Sequence, residues 1–256
     1  MNVLACLKRV PDTGAKIVLT DDNQEIDTSN LGFTMSPHEE CGVEEAVQLI
    51  EEHGGSATAL TLGSEEATEQ VRTAIAMQCD DGVLLETDGE EWSPRNTAHA
   101  IAEFVRAREE DGEEFDLLLF GRESADAANH QVGVRVAHEL GLPSVTGIKG
   151  IEIDGETVIA EREIPGGSEV YELPTPAVIT VKEGLNEPRY ASMRARMQAR
   201  RQSVEHVTPE RRGESGLEKV RLETPETADS EAEILGEGPE AVERILEVME
   251  DELEVI

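Results

Sequence analysis

The chain has 256 residues, with 22 lysines and arginines against 56 aspartates and glutamates, which gives a formal net charge of −34 at pH 7. This length suits one folded domain, alone or with an appendage. Such an acidic chain argues against duplex nucleic acid as a general partner. The negative charge is spread along a chain that is rich in Val, Ala and Leu, which indicates a folded protein from a high-salt cytosol, where ions screen the repulsion between its charges.

The first half of the chain alternates short apolar runs, typical of buried strands, with stretches of helical periodicity. The predicted strands are Val3–Leu7, Ala57–Leu62, Val83–Leu85 and Leu117–Phe120. The predicted helices begin at Ser36, Ser64, Ser93 and Val132. Four such alternations predict a parallel α/β sheet with helices on both faces.

Between the first strand and the first helix, Lys16–Thr20 and Glu25–Ile26 predict a surface hairpin. The helix that follows has a clear start signal. Ser36 can cap it, Pro37 suits the first helical position, and Glu39 closes a capping box.

After Pro143 the pattern changes to hairpins. Three apolar runs joined by paired turn residues predict antiparallel structure at the sheet edge, namely Ile148–Ile153, Thr157–Arg162 and Glu169–Leu173. Ala177–Val181 predicts a last strand, so we expect the folded domain to span residues 1–184.

The remaining residues divide into three parts: a basic segment at 185–202, an extended linker at 203–238 and a helix at 239–256. Within the linker, Thr208–Glu231 is polar and poor in apolar residues, so disorder is the alternative there. The terminal helix is predicted from Pro239, and its apolar face needs this domain or a partner to lie against.

The strand–loop–helix unit Leu117–Leu140 is the best candidate for an anion or nucleotide site. Gly121 ends the strand, and a loop of small and polar residues runs to Asn129. In an open parallel sheet such a loop lies at the carboxyl end of a strand, where ligands bind, and the helix amides point into it. An ordinary βα connection is the equally weighted alternative. Asp126, flanked by alanines, is either approached by a ligand or only a helix cap.

The sequence lacks the motifs of several common nucleotide-binding and catalytic sites. There is no Walker A loop, no GxGxxG and no GxSxG, so a P-loop, a dinucleotide fingerprint and a nucleophile elbow are all unsupported. His38 and His130 lie at loop-to-helix junctions, where a capping role competes with a ligand role. Cys6, in mid-strand, is expected to be a small buried hydrophobe rather than a reactive thiol.

Cysteine usage and hydropathy bear on location. Three cysteines without a CxxC pair, and six scattered histidines, predict neither a disulfide framework nor a metal site, and they fit a reducing compartment. Neither a signal peptide nor an apolar span is visible, so a cytoplasmic location is expected.

An arginine cluster interrupts the acidic background near residue 195, with Met and Tyr side chains among the arginines. Its members are Arg189, Tyr190, Met193, Arg194, Arg196, Met197, Arg200 and Arg201. An RNA-binding arm is disfavoured by the single aromatic residue and the net charge. A protein-docking segment fits better, since Arg, Tyr and Met are enriched at interfaces, and a solvated helix with Met packed inward is the remaining alternative.

The run Leu185-Asn186-Glu187-Pro188-Arg189-Tyr190-Ala191-Ser192-Met193 resembles the beta subunit of electron transfer flavoproteins, and the likeness extends from Met1 to about Pro209. Supporting blocks occur in the family's order. They are Lys8–Asp12, Met35–Pro37 ahead of Val43–Ala46, Arg72–Met77, Gly121–Glu123 with Asp126 and Gln131, and Arg162–Gly167 leading to Leu173–Val178.

The resemblance implies a Rossmann-like domain of the adenine nucleotide alpha hydrolase type, in a heterodimer with an alpha subunit that holds most of the redox FAD. Such an electron carrier passes electrons between dehydrogenases and a quinone reductase or other acceptor, and no catalytic side chain is expected. Simple members hold AMP in the beta subunit. Bifurcating, Fix-like members hold a second FAD there, which NADH reduces.

The resemblance also implies a set of cofactor-binding residues. They are Cys6, Ser36, Pro37, His38, Glu39, Leu62, Gly63, Gly121, Arg122, Glu123, Ser124, Ala125, Asp126, Asn129, His130, Gln131 and Val132. Four departures from the family pattern matter: Ser36 replaces Asn, Ala127 and Ala128 replace acidic residues, and Pro165 replaces an acidic residue. Gln131-Val132-Gly133 is similar to the bifurcating branch, which favours FAD over AMP.

The family's partner-docking loop corresponds to Ala191–Gln202, with Met193 at the position of an apolar anchor that enters a pocket on the dehydrogenase. The implied docking residues are Arg189, Tyr190, Met193, Arg194, Met197, Arg200 and Arg201. The terminal helix resembles an arm that embraces the alpha subunit. Two alternatives remain: a stand-alone nucleotide-binding regulatory domain, which would need no docking loop, and an adenylating or hydrolysing enzyme, which the missing phosphate motif disfavours.

Overall fold

The computed structural model describes residues 1–12, 14–213, 219–225, 234–253 and 255. The strands are β1 (Asn2–Cys6), β2 (Val10–Pro11), β3 (Phe33–Thr34), β4 (Ser56–Gly63), β5 (Asp81–Glu86), β6 (Leu117–Gly121), β7 (Ser144–Ile148), β8 (Gly150–Asp154), β9 (Thr157–Ile164), β10 (Gly167–Pro174), β11 (Ala177–Val181) and β12 (Glu205–Val207). The helices are α1 (Pro37–His53), α2 (Thr68–Ala76), α3 (Pro94–Glu110), α4 (Val132–Leu140), α5 (Met193–Ala199) and α6 (Ala241–Glu247).

The central sheet has seven strands in the order β12-β5-β4-β1-β6-β11-β7, and neighbouring strands are parallel throughout. Side chains of β1 alternate between its two faces. Val3 and Ala5 join the core beneath α1 and α2, whereas Leu4 and Cys6 join the core beneath α3 and α4. The predicted parallel α/β sheet with helices on both faces is confirmed.

Strand order places a topological switch point between β1 and β6. From β1 the chain proceeds through β4 and β5 on one side of the sheet, and it then returns to lay down β6, β11 and β7 on the other side. The connections that leave β1 and β6 run to α1 and α4, on opposite faces. Their loops therefore diverge at the carboxyl ends of these two strands, which is where open α/β sheets form the crevice that binds their ligands.

Antiparallel strands accompany the central sheet, as expected. Strands β8, β9 and β10 form a three-stranded sheet, β2 pairs with β3, and Leu19 bridges Ile26 within the predicted surface hairpin. The assignment of Ile148 to the first antiparallel strand is wrong. Ile148 ends β7 and pairs in parallel with Val181. Gly147, at φ 72°, turns the chain beside a register shift, so one apolar run holds two strands.

Two parts of the predicted linker at 203–238 contact the folded domain. Strand β12 extends the main sheet beside β5, although residues 205–207 carry no strand-like pattern. Farther on, the Leu222 N–H donates to the Asn23 carbonyl (2.8 Å), so 219–225 lies along the hairpin. Residues 214–218 and 226–233 of the predicted linker lie outside the described part of the chain.

The predicted terminal helix is present as α6, two residues after Pro239, and continues into a π-helical turn at Val248–Glu252. Its apolar residues Val242, Ile245 and Leu246 are about half exposed. Across the described helices, none combines the length and apolar composition needed to cross a membrane.

Candidate functional site

The crevice between β1 and β6 is bordered by the start of α1 and by the loop from Arg122 to Gln131. This loop is unusual in its backbone, because Ala128 (φ 46°) and His130 (φ 53°) both adopt the left-handed region. Non-glycine residues are held there only when their surroundings require it, and such positions cluster at ligand sites. The same loop is the one predicted from its small residues to bind a ligand.

The start of α1 packs tightly against the end of β6. The predicted capping box is present, with the Ser36 N–H donating to the Glu39 carboxylate (3.2 Å). The Ser36 hydroxyl donates to the Glu123 carbonyl in the opposite loop (3.4 Å). A Cβ on Gly121 would lie 2.7 Å from the Glu39 Cγ, so only glycine fits this close approach.

Glu39 is the most perturbed carboxyl group of the crevice. Its residue is only 7% exposed. Burial raises its pKa to about 7, although hydrogen bonds from the main chain of Lys8 and Ser36 oppose this shift. Glu39 in turn raises the pKa of the Cys6 thiol, which burial has already raised more strongly. Cys6 is therefore a protonated, buried side chain at the end of β1 rather than a nucleophile.

Two carboxylates connect the loops across the crevice. The Lys8 Nζ lies 2.6 Å from the Asp126 Oδ2, which joins the loop after β1 to the loop after β6. Burial opposes ionisation of Asp126, but Lys8 outweighs it and lowers the pKa of that carboxyl group. The Glu123 carboxylate lies 2.7 Å from the His130 Nε2 and 3.4 Å from the His38 Nε2.

His38 has a defined tautomer in the neutral ring. The Glu183 N–H donates to its Nδ1 (2.7 Å), so Nδ1 accepts and the ring hydrogen lies on Nε2, which faces Glu123. A backbone amide from the loop after β11 is thereby connected to the crevice. Both histidines thus contact a carboxylate of this protein, in addition to their positions at helix starts.

The other residues proposed for the cofactor occupy the same edge of the sheet. Arg122, Ser124, Ala125 and Asn129 lie in the loop, while Gln131 and Val132 lie at the start of α4. Leu62 and Gly63 end β4, the strand beside β1. The fold therefore brings the sequence-derived set to one edge, with Leu62 and Gly63 one strand removed from the switch point.

This edge of the sheet has features that suit an anionic ligand. It offers small side chains, exposed main chain in the loop, and the amino-terminal ends of two helices of 17 and nine residues. Glu123 and Asp126 both contact cationic or imidazole partners within the protein.

A second feature is the segment 185–202, which is fastened to α1 at its beginning. The Arg189 guanidinium bonds both oxygens of Glu44 (2.9 and 3.0 Å) and both oxygens of Glu51 (2.7 and 2.9 Å). Burial would raise the pKa of Glu44, but hydrogen bonds from Arg189 outweigh it and hold that pKa below its ordinary value. Asn186 adds bonds to the Cys41 carbonyl (3.0 Å) and the Glu45 carboxylate (2.8 Å).

The rest of this segment projects its side chains outward. Ser192 caps α5 by accepting from the Ala195 N–H (3.2 Å), and Ala199 faces the core. Tyr190, Met193 and Met197 are 84%, 73% and 57% exposed. Among the arginines proposed for docking, Arg189 is thus half-buried and ion-paired, whereas Arg194, Arg200 and Arg201 are exposed.

Glu44 and Glu51 are residues that the sequence analysis did not single out. Their only sequence signal is a spacing of seven residues, which places both on one face of α1. Since α1 carries several other glutamates, this spacing becomes informative only when Arg189 is known to lie opposite.

Comparison with known proteins gives a consistent result. Residues 25–211 match a family model described as "Electron transfer flavoprotein domain". The chain is 33% identical over 264 residues to "Electron transfer flavoprotein subunit beta" of Bacillus subtilis strain 168, with both chains fully covered. It is 37% identical over 207 residues to the protein of the same name from Syntrophomonas wolfei, covering 80% of this chain and 78% of that one. The Dictyostelium discoideum protein of this name is 32% identical, with 82% of each chain covered.

Proposed function

The chain belongs to the electron transfer flavoprotein family, in its beta-subunit branch, and we propose that it binds an adenine nucleotide between β1 and β6 and carries electrons together with an alpha subunit. The observation that carries this proposal is the strained loop of small residues at the switch point of the sheet, tied to the opposite loop by Lys8 and Asp126. This is the place where open α/β sheets bind their ligands.

The proposed nucleotide is FAD rather than AMP. Ala127 and Ala128 are exposed and short, which leaves the loop open to a large ligand. Gly133 carries no weight in this choice, because a Cβ there would lie 2.7 Å from the Thr180 Cγ2 and packing alone requires glycine. A bound FAD would supply redox chemistry that AMP cannot. The proposal includes NADH as the electron source for such a site, as in the bifurcating branch.

The protein's own residues would hold and orient the nucleotide. The main chain of the loop and the first amides of α4 are suited to acceptor groups of the ligand, and the Lys8–Asp126 pair fixes the distance between the two loops. Glu39, buried behind Gly121, shapes the floor of the crevice. Because electron transfer needs no covalent chemistry from side chains, fixed geometry is the contribution expected of this subunit.

Partner binding forms the second part of the proposal. Exposed Met193, with Tyr190 and Met197 beside it, would enter an apolar pocket on an electron-donating dehydrogenase or on a quinone reductase. The half-exposed apolar face of α6 would contact the alpha subunit. The three free, buried cysteines and the charge of −34 support a reducing, high-salt cytoplasm as the working environment.

The test is co-expression with the alpha subunit, followed by gel filtration and chromatography of the nucleotides released on denaturation. We expect a heterodimer with two FAD molecules. One FAD and one AMP would overturn the choice of nucleotide and leave the carrier function standing, whereas a monomer without nucleotide would overturn the function itself.

A variant then separates binding from docking. Met193→Ala should slow reduction by the donor dehydrogenase and leave the nucleotide content unchanged, because its side chain is exposed to solvent and is not among the residues that border the crevice. Loss of nucleotide in this variant would contradict the assignment of the segment to docking.

A further inference from the structure

The His38 ring connects two loops that are far apart in the sequence. It lies in the first turn of α1, and its Cβ would be 3.3 Å from a Cβ on Gly121 at the end of β6. On one side of the ring the Glu183 N–H donates to Nδ1 (2.7 Å), and on the other side Nε2 lies 3.4 Å from the Glu123 carboxylate. The His38 side chain is only 19% exposed. The ring therefore bridges the loop after β6 and the loop after β11.

The loop after β11 leads directly into the segment 185–202. Helix α1 holds this stretch at three successive residues, which are Glu183, Asn186 and Arg189. Asn186 is bonded to a main-chain carbonyl as well as to a carboxylate, and Arg189 is bonded to two carboxylates. The contact of Glu183 differs from these because its acceptor is a ring nitrogen of His38.

That ring nitrogen can accept a hydrogen bond only while the ring is neutral, because both nitrogens of a protonated imidazole carry hydrogens. Protonation of His38 would place two donors opposite each other, the Nδ1–H and the Glu183 N–H. At the same time Nε2 would keep its hydrogen, and the charged ring would be attracted more strongly to the Glu123 carboxylate. Histidine side chains commonly change charge between pH 5 and 8. A fall in pH over this range should therefore release the Glu183 amide.

The charged groups of the neighbouring loops leave this contact dependent on the ring itself. In the loop after β6, Glu123 also lies 2.7 Å from the His130 Nε2, so the two imidazoles share one carboxylate. In the loop after β1, the Lys8 ammonium is occupied by Asp126 (2.6 Å). In the loop after β11, the side chain of Lys182 extends towards β7. The only charge-dependent bond to the Glu183 amide in the described contacts is thus the one from the imidazole.

The titratable groups of α1 beside the ring act in the opposite direction or on another contact. Burial raises the pKa of Glu40, and the nearby Glu183 carboxylate raises it further. Protonation of Glu40 in acid removes this repulsion, so it would tighten the loop rather than release it. Burial raises the pKa of Glu39 to about 7, and its carboxyl group bonds the main chain of Lys8 and Ser36, not the loop after β11.

We propose that His38 is a pH-sensitive positioning residue for the segment 185–202: its neutral ring fixes the loop from which the segment starts, and protonation of the ring releases that loop, so that docking of the partner weakens in acid. The statement about docking rests on the proposed function. Release of the Glu183 amide does not depend on that function and can be measured separately.

The first experiment measures hydrogen exchange of the Glu183 amide by mass spectrometry, in the complex of this chain with its alpha subunit, near pH 8 and near pH 5.5. Rates are divided by those of an unstructured peptide of the same sequence, so that the intrinsic effect of pH on exchange cancels. In the wild type the protection should fall about tenfold between the two pH values, the factor expected for loss of one hydrogen bond. Equal protection at both pH values would overturn the proposal.

Two variants of His38 and one control identify the group that titrates. His38→Asn keeps an acceptor that does not titrate, so the Glu183 amide should stay protected at both pH values. His38→Phe offers no acceptor, so the amide should be unprotected at both. His206→Asn removes a histidine that contacts Glu86 (2.8 Å) at the edge of the sheet, and it should retain the wild-type fall. A fall of the same size in His38→Asn would show that another group causes the release, and the proposal would be wrong.

Docking is tested through KM for the donor dehydrogenase near pH 8 and near pH 5.5. The ratio of the two KM values is compared between proteins, so that the effect of pH on the dehydrogenase cancels. The ratio in the wild type and in His206→Asn should exceed that in His38→Asn by a factor of between about two and ten, since release cannot weaken docking by more than the lost contact stabilises the loop. Equal ratios would overturn the docking role of His38 and leave the carrier function standing. A wild-type complex that no dehydrogenase reduces would overturn the carrier function, whereas the exchange result would stand.

Discussion

Replacing Arg189 by Gln should destabilise the protein more than any change to the exposed arginines. The guanidinium is the charged partner of Glu44, whose side chain is 4% exposed, and it also bonds Glu51, whose side chain is 52% exposed. In Arg189→Gln the Glu44 charge stays in the interior without its counter-ion. Truncating one member of a buried pair costs about 3–5 kcal/mol in other proteins.

The expected loss of unfolding free energy is somewhat smaller than that range. Gln48 still donates to Glu44 (2.8 Å), and so does the backbone N–H of residue 189 (3.0 Å). The bond to Glu51 adds less than about 0.5 kcal/mol because that pair is exposed. A loss of about 2–3 kcal/mol follows from these contributions taken together. Arg189→Lys, which keeps the charge but not the fork, should lose about half as much.

The loss should depend on pH. In the wild type the pKa of Glu44 lies below its ordinary value, so the stability from the pair is present above that ordinary value and disappears as the pH falls through the lowered one. In the variant, burial without Arg189 raises the pKa of Glu44 instead. The difference between the two proteins should therefore be greatest near pH 8 and begin to shrink above about pH 4.5, where Glu44 of the variant takes up a proton, and it should continue to shrink as the pH falls through the lowered pKa of Glu44 in the wild type.

Urea unfolding followed by circular dichroism measures this difference, in a buffer with enough salt to keep the acidic chain folded. Arg95→Gln is the control for loss of one positive charge. A double-mutant cycle with Glu44→Gln should return a coupling energy above about 1 kcal/mol. If Arg189→Gln remains within about 0.5 kcal/mol of the control at every pH, the ion pair does not stabilise the fold as inferred here.

Three further outcomes can be measured. Because the pKa of buried Glu39 is raised to about 7, the folded state binds a proton that the unfolded chain releases, and stability falls as the pH rises from 4.5 to 7. Glu39→Gln should flatten this fall, so that near pH 8 its free energy of unfolding exceeds that of the wild type by about 1–2 kcal/mol. Urea unfolding at several pH values measures this, and identical pH profiles of the two proteins would contradict it. Gly121→Ala places a Cβ 2.7 Å from the Glu39 Cγ, so it should lower the free energy of unfolding by about 1–3 kcal/mol and release much of the bound nucleotide. Gly167→Ala, with open space around the new Cβ, is the control and should change neither quantity. Urea midpoints and chromatography of the bound nucleotide measure both effects. Finally, the midpoint of thermal unfolding should rise between about 0.1 and 2 M KCl because salt screens a net charge of −34, and a falling midpoint in calorimetry would refute the argument from self-repulsion.

Local signals account for what the sequence could predict. The start of α1 follows from a capping serine, a proline and a glutamate that reaches back, all within four residues. The buried strands follow from uninterrupted apolar runs, because a parallel sheet covered on both faces leaves no polar side to a central strand. The loop after β6 can be recognised in the sequence by its small residues. The strand order then places this loop at the switch point of the sheet.

Features that depend on distant partners could not be predicted in the same way. Strand β12 has three residues and pairs with β5 more than a hundred residues earlier, so no periodicity marks it. The end of β7 is hidden because Ile148 continues an apolar run into β8. Only the structure shows that Arg189 is ion-paired with Glu44 on α1, whereas other arginines of the cluster remain exposed.

Helix α1 connects the candidate crevice with the segment 185–202. Its first turn contributes Ser36, His38 and Glu39 to the crevice, and farther along Glu44 and Glu51 hold Arg189 at the base of the docking segment. The 12 residues from Glu39 to Glu51 span about 18 Å of continuous helix. This helix is continuous and packs on β1 and β6, so a bound nucleotide and a docked partner would contact the same rigid element and keep a fixed position relative to each other. In the proposed carrier the distance between redox centres sets the rate of electron transfer, and the Arg189–Glu44 pair at the base of the exposed segment would help to keep that distance constant.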